Sequence, residues 1–301
     1  MRIVIIGRAQ WLFEAAQRLI AMGQTITSII TAKASEESRV RADDYAALAA
    51  SCGAKFYRSI DASRKDILEN VDTTYPDLGL TMNFPGILKS EFISMFPWGV
   101  VNCHGSLLPK YRGNSPPNWG ILNGDAEAGC TFHLVRAGEL DNGPILLQKR
   151  MSLDDTTYIG DIYDWFDKVI PEGFVEVAEG LKAGRSAPME QDQSEVTESF
   201  PRRPEDAKIN FEQSTREILR LIRASSRPFS GAYCFGDAGA KLTIWRASPS
   251  PLRHPTYAAP GQILGVDSDG APRVKTSDGA MRIDEWTAEG DVSFNRRSRL
   301  R

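Results

Sequence analysis

The chain contains no CxxC pair, no HExxH and no apolar run long enough to cross a membrane. Its four cysteines, Cys52, Cys103, Cys130 and Cys234, lie far apart. A disulfide framework or zinc knot needs closely spaced sets, so reduced thiols are expected. The apolar stretch Ile3 to Ile6 falls far short of the roughly 18 residues of a membrane span, so a soluble, cytoplasmic protein is expected. Basic charge is also scarce: 36 Lys and Arg stand against 39 Asp and Glu, a net charge of -3. Proteins that grip nucleic acid through its phosphates carry a basic surplus, so nucleic acid is disfavoured as a partner. With only three histidines, and no second ligand beside His133 or His254, no metal is expected. What remains is ordinary globular composition, 42% hydrophobic and 25% charged over 301 residues, which excludes fibrous and wholly disordered chains and predicts two domains.

Two nucleotide-binding signatures are missing as well. A strand, a glycine and a helix at the start invite a dinucleotide reading, but that motif needs three glycines, the second to let the backbone approach a pyrophosphate. Here the turn reads Gly7-Arg8-Ala9-Gln10-Trp11-Leu12, with one. An NAD-dependent oxidoreductase is a weak rival on that ground, and no Walker lysine loop supports ATP hydrolysis.

What is present is alternation. Apolar runs at residues 3–6, 25–30, 55–56, 78–82 and 100–103 read as strands, separated by helical patterns near 11–20, 44–50, 64–70 and 90–95. This predicts an α/β fold, a Rossmann-like doubly wound, mostly parallel sheet. Two further strands follow at 131–135 and 145–151, then an amphipathic segment over 159–182 in which Pro171 predicts a kink or restart. Residues 1–185 form a first domain and the polar stretch 186–206 reads as a linker. Residues 207–301 carry one helix near 215–225 and short strands split by Gly, Pro and Asp-Gly turns, which predicts a smaller β-barrel. The tail Arg296 to Arg301 reads as a frayed end.

Chemistry concentrates in Val100-Val101-Asn102-Cys103-His104-Gly105-Ser106-Leu107-Leu108-Pro109-Lys110-Tyr111-Arg112-Gly113. It begins as a buried strand and ends in a shaped loop, at the carboxyl edge where open α/β sheets bind ligands. Strand alternation turns Asn102 and His104 to one side and Cys103 to the other. The pair offers an amide donor beside a group that titrates near neutral pH. A third polar residue, Asp141, sits in Leu140-Asp141-Asn142-Gly143, which taken alone is simply a good turn sequence. His133, alternating with Phe132 and Leu134, reads as structural.

His-Gly-Ser-Leu-Leu-Pro-Lys-Tyr-Arg-Gly resembles the signature of the 10-formyltetrahydrofolate-dependent formyltransferases. That family includes methionyl-tRNA formyltransferase, the sugar N-formyltransferases and glycinamide ribonucleotide transformylase. The Asn-x-His spacing and the Leu-Asp-x-Gly turn match it, as do Gly113-Asn114-Ser115-Pro116 and Asn123-Gly124-Asp125. Residues 1–185 resemble the family's Rossmann-like catalytic domain, and within residues 207–301 Pro228 to Tyr233 and Pro260 to Ile263 resemble its OB-like C-terminal barrel.

The resemblance implies an enzyme that uses 10-formyltetrahydrofolate, without metal, to formylate a primary amine. It implies Asn102, His104 and Asp141 as the catalytic trio. Asn102 and protonated His104 would hold the tetrahedral oxyanion, or His104 would instead take the amine's proton, with Asp141 orienting the ring. It further implies folate contacts from Met82, Asn83, Phe84, Gly86, Ile87 and Leu88 and from Ser106, Leu107, Leu108 and Pro109. The expected acceptor is a small amine, a nucleotide-linked amino sugar, because the loop over residues 33–44 mixes three basic with four acidic side chains. Initiator methionyl-tRNA is the alternative, water in a folate hydrolase a further one, and pairing into a homodimer is left open.

Overall fold

A computed structural model describes residues 1–34 and 38–301. Ser35, Glu36 and Glu37, part of the mixed-charge loop on which the acceptor expectation leaned, lie outside the described residues.

The first half builds as the alternation predicts. Strands and helices follow in the order β1 (Arg2–Gly7), α1 (Gln10–Ala21), β2 (Thr25–Thr31), α2 (Ala42–Cys52), β3 (Lys55–Arg58), α3 (Lys65–Asp72), β4 (Leu78–Met82), α4 (Ser90–Ile93) and β5 (Val100–His104). Then come β6 (Arg112–Gly113), α5 (Pro116–Asn123), β7 (Glu127–Leu134), β8 (Ile145–Ser152), α6 (Ile159–Lys182) and β9 (Glu198–Ser199). Seven strands make one sheet, in the order β3-β2-β1-β4-β5-β7-β8. Neighbours from β3 through to β5 pair parallel, whereas β7 runs antiparallel to β5. Ile3 to Ile6 are fully buried, which is why that strand is apolar without alternation. Gly7 has φ +151, and a Cβ there would lie 2.2 Å from the Met82 carbonyl oxygen, so the β1 turn admits glycine alone. Helix α6 runs unbroken through Pro171, so the expected restart does not occur. No helix among the described residues is long and apolar enough to cross a membrane.

The second half gives α7 (Thr215–Ser225) and strands β10 (Ala232–Phe235), β11 (Lys241–Pro249), β12 (Ile263–Val266), β13 (Pro272–Lys275) and β14 (Ala280–Glu289). The five strands form an antiparallel sheet in the order β10-β11-β14-β13-β12. Ser214 and Glu217 start α7 as a reciprocal cap, each side chain taking the other's backbone N–H. Ile218 and Ile222 then pack into a core with Leu242, Ile244, Val274, Met281 and Ile283.

The chain divides into two compact units, each assembled from more than one stretch. One holds Met1–Pro116, Ala128–Met151 and Tyr163–Phe200; the other holds Pro117–Glu127, Ser152–Ile162 and Pro201–Arg301. Residues 186–200, expected as part of a linker, are built into the first unit. Met189 exchanges backbone hydrogen bonds with Ile145, and β9 pairs with β6. The tail is not frayed either. Arg301 and Phe235 exchange backbone hydrogen bonds at 2.7 and 2.8 Å, and Leu300, 2% exposed, belongs to the second unit's core. Leu300→Ala should therefore lower stability by roughly 2–4 kcal/mol, as a buried Leu truncation does. Urea denaturation of the full chain checks this, and an unchanged midpoint would contradict the placement of the tail.

Candidate active site

The strand order reverses between β1 and β4, and in open α/β sheets ligands bind at the carboxyl ends of strands beside such a switch. Gly7 pairs with Met82 there, and one strand further on Thr81 pairs with Asn102. The loop after β4 and the end of β5 thus leave the sheet at the same edge.

Asn102, His104 and Asp141 converge at that edge. Asn102 Nδ2 donates to Asp141 Oδ1 at 3.3 Å, and His104 Nδ1 lies 3.4 Å from Asp141 Oδ2. His104 Nε2 is 2.7 Å from the Tyr111 carbonyl oxygen; a carbonyl only accepts, so Nε2 carries the hydrogen of that bond. Gly113 N–H donates to Asp141 Oδ2 at 3.0 Å. The carboxylate therefore draws on two separate stretches of chain, residues 102–104 and Gly113, although its side chain is only 10% exposed. Its own residue has φ +49, a left-handed conformation that the Asn142-Gly143 turn holds.

His133, read from the sequence as structural, packs beside the trio. Antiparallel register sets it directly opposite Asn102, and its Nε2 accepts from Asn102 Nδ2 at 3.1 Å and lies 3.5 Å from Asp141 Oδ1. Its Nδ1 faces the Leu134 carbonyl at 3.0 Å, which assigns the ring hydrogen to that nitrogen. His133 belongs to the cluster, and the Asn102 amide directs both of its hydrogens into it. The signal was available in alternation, which puts Thr131 and His133 on one side of β7, but the pairing that brings β7 to β5 is not local.

Electrostatics follow from this crowding. Burial alone would raise the Asp141 carboxyl. The positive charges that His104 and His133 carry when protonated, with the hydrogen bond from Gly113 N–H, outweigh it and lower the carboxyl to about 2. Burial pushes the His104 imidazole below its ordinary value, while Asp141 and the Tyr111 carbonyl pull it upward and His133 adds to the lowering. Burial thus favours the neutral form of the ring, beside a carboxylate that is ionised.

Of the expected folate residues, Ser106 and Leu108 anchor their loop. Ser106 Oγ donates to the Lys110 carbonyl at 2.6 Å, and Leu108 N–H donates to Thr131 Oγ1 at 3.1 Å. Leu107 packs where a Cβ on Gly129 would stand, and the Pro109 carbonyl accepts from Thr197 N–H. In the loop after β4, Met82 and Leu88 are buried and Phe84 packs on the same apolar cluster as Leu88. Asn83 is exposed with φ +53, and Ile87 is 76% exposed. Gly86 has no room for a side chain, since a Cβ would meet the Ile60 carbonyl. Arg8 binds this loop, donating to the Asn83 carbonyl at 3.0 Å and to the Lys33 carbonyl at 2.7 Å.

Replacing Asp141 with Asn removes the charge that holds the His104 pKa up. Asp141→Asn should therefore move the imidazole further below its ordinary value, as read from an NMR titration of the three histidines. An unchanged or raised value would contradict this electrostatic account.

Comparison with known proteins agrees with this architecture. The family described as formyl transferase matches residues 1–178, and its C-terminal domain matches residues 202–298. The chain is 29% identical to the methionyl-tRNA formyltransferase of Caldanaerobacter subterraneus subsp. tengcongensis, over 100% of this chain and 96% of that protein. Among solved structures it resembles WlaRD, a sugar 3N-formyl transferase, with TM-score 0.64 at 19% identity, covering 97% of this chain and 99% of that one. It also resembles HypX from Aquifex aeolicus, with TM-score 0.62 at 19% identity, covering 95% of this chain but spanning only 45% of the length of HypX. Both of the chain's units are accounted for by one family, and the protein belongs to the formyl transferase family.

Proposed function

We propose that the chain moves the formyl group of 10-formyltetrahydrofolate to a primary amine, with Asn102, His104 and Asp141 at the reacting atoms. The observation that carries this reading is the convergence of the three side chains at the end of β5, beside the switch point of the sheet. Attack by the amine on the formyl carbon makes the new C–N bond and places negative charge on the formyl oxygen. Both hydrogens of Asn102 are engaged, and the amide donates to that oxygen by giving up its longer bond, the one to Asp141 at 3.3 Å. Neutral His104 takes the proton of the attacking amine, and ionised Asp141 stabilises the imidazolium so formed. The same proton passes to N10 as the C–N10 bond breaks, which restores the neutral ring. Loop 82–88 suits a flat folate ring: it offers the exposed Ile87 and backbone groups held in place by Arg8. Solved relatives of this fold include WlaRD in the presence of 5-N-formyl-THF.

For the acceptor we place methionyl-tRNA ahead of the amino sugar. Relatives bearing the name methionyl-tRNA formyltransferase align over 96–100% of the chain, whereas the likeness to the sugar enzymes, below 25% identity, speaks for the fold alone. Charge distribution supports the same choice. Residues 201–301 carry 17 Lys and Arg against 12 Asp and Glu, a net charge of +5 that the whole-chain value of -3 conceals. Residues 1–200, with 19 against 27, hold a net charge of -8, and that acidic half keeps a nucleotide-linked amino sugar as the second reading.

The test follows folate release from 10-formyltetrahydrofolate with methionyl-tRNA, with a nucleotide-linked amino sugar, and with water alone. Turnover is expected with methionyl-tRNA, weakening as salt rises. His104→Ala should lower kcat/KM about 10²- to 10³-fold or more. Turnover with the sugar alone would overturn the acceptor, release in water alone would replace transfer by hydrolysis, and no release at all would overturn the donor.

A further inference from the structure

The segment residues 189–199 contains a buried amide that the proposed chemistry does not use. Gln191 is 5% exposed and satisfies every hydrogen-bonding group it has. Its Nε2 donates both hydrogens, one to the Asp141 carbonyl and one to the Gly143 carbonyl, each at 2.8 Å. Its Oε1 accepts from Arg112 twice, from Nε at 3.1 Å and from Nη2 at 2.7 Å. Gln193 adds a parallel tie, accepting from Arg112 Nη1 at 3.3 Å and donating to Asn142 Oδ1 at 3.0 Å.

The two stretches joined in this way are the two that hold the proposed catalytic groups. Residues 111–113 supply the carbonyl at His104 Nε2 and the N–H at Asp141 Oδ2. The turn over residues 140–143 carries Asp141 itself, in its left-handed conformation. Gly143 locks the far side of this turn, where a Cβ would stand 1.6 Å from the Leu134 carbonyl oxygen. Carbonyl oxygens in such a turn point wherever donors are offered, and a side-chain amide is the neutral group that can donate two hydrogens and accept two in one plane.

We propose that Gln191 is a positioning residue for Asp141, fixing the turn so that its carboxylate stands between His104, Asn102 and His133. The inference rests on the formyl-transfer reading only where activity is measured. Glutamate at this position separates the two ends of the amide. It keeps, and charges, the link to Arg112, but it sets carboxylate oxygens against two carbonyl oxygens 2.8 Å away. If Gln191 merely anchored Arg112, Gln191→Glu would be harmless.

The experiment titrates the His104 imidazole by NMR in the full chain, wild type against Gln191→Glu, with His104→Ala assigning the signal among the three histidines. The groups that face this ring are the Asp141 carboxylate from the turn, His133 from β7 and the Tyr111 carbonyl. Displacing the carboxylate should lower the pKa of His104 relative to wild type and reduce kcat about 10- to 100-fold, as small misplacements at a reacting centre do, with the folate KM within about twofold. A wild-type titration together with a wild-type kcat would overturn the proposal. Should the Glu variant fail to fold, Gln191→Met fills similar volume without charge and carries the same expectation and refutation. Wild type that titrates as described but transfers no formyl group would sink the functional reading and leave the positioning role standing.

Discussion

A carboxylate with a tenth of its side-chain surface exposed must be ionised among donors or not ionised at all, and Asp141 is ionised. Much of the local architecture follows from that requirement. Its oxygens are met by Asn102 and His104 from β5, by His133 from β7 and by the Gly113 N–H from β6. No two of those stretches are joined by a short turn, so only the folded sheet brings them together. The antiparallel insertion of β7 beside β5 has this consequence: it places His133 opposite Asn102 and lets the following turn carry Asp141 back over the strand end. Burial also favours the neutral form of the imidazole. The same exclusion of water that lowers the His104 pKa also strengthens the attraction of a protonated ring to Asp141, so the two effects oppose each other.

How far the sequence foretold this depends on how local each device is. Asn102 and His104 were legible as a pair because strand alternation aims two residues of one strand at one side, whereas Asp141 was singled out only by the family resemblance, its own stretch reading as an ordinary turn. The place of His133 in the cluster was not legible, since it comes from pairing with a residue 31 positions away. Gln191 was invisible: it stands in a polar stretch, Met189-Glu190-Gln191-Asp192-Gln193, whose composition reads as a linker. Composition reports what a segment can bury in apolar area, not whether its amides fill a polar cavity. The tail misled in the same way, because four arginines around Leu300 masked one apolar side chain that the second unit's core takes in.

Net charge is a different kind of blindness. A single value of -3 averages two opposite halves and so carries information about neither. Electrostatic attraction to a polyanion is screened within about 8 Å at physiological salt, so what matters is the sign of the surface presented rather than the sum over the chain. In the basic segment several arginines are already matched within the unit, as Arg227 is with Glu285 and Arg282 with Asp267, Asp269 and Asp284. The surplus of +5 is what formal charge leaves when every acidic side chain of the segment is set against a basic one.

The loops around the site show how rigidity is shared. Gly7 and Gly86 each stand where a Cβ would collide with backbone, at Met82 and Ile60 respectively, so the loop after β4 closes on its neighbours by main-chain contact. Arg8 then ties the carbonyls of Asn83 and Lys33, joining the ends of β4 and β2 across β1. On the other side of β5, Gln191 and Arg112 do the equivalent for the Asp141 turn. In both cases a side chain from one segment binds carbonyls of another, and at the Asp141 turn a second side chain holds the first. Carbonyl oxygens bound in this way cannot reorient when substrate displaces water. A site preorganised by its own backbone need not be reordered at the moment charge develops, and that saving in reorganisation is the main electrostatic advantage a protein has over water.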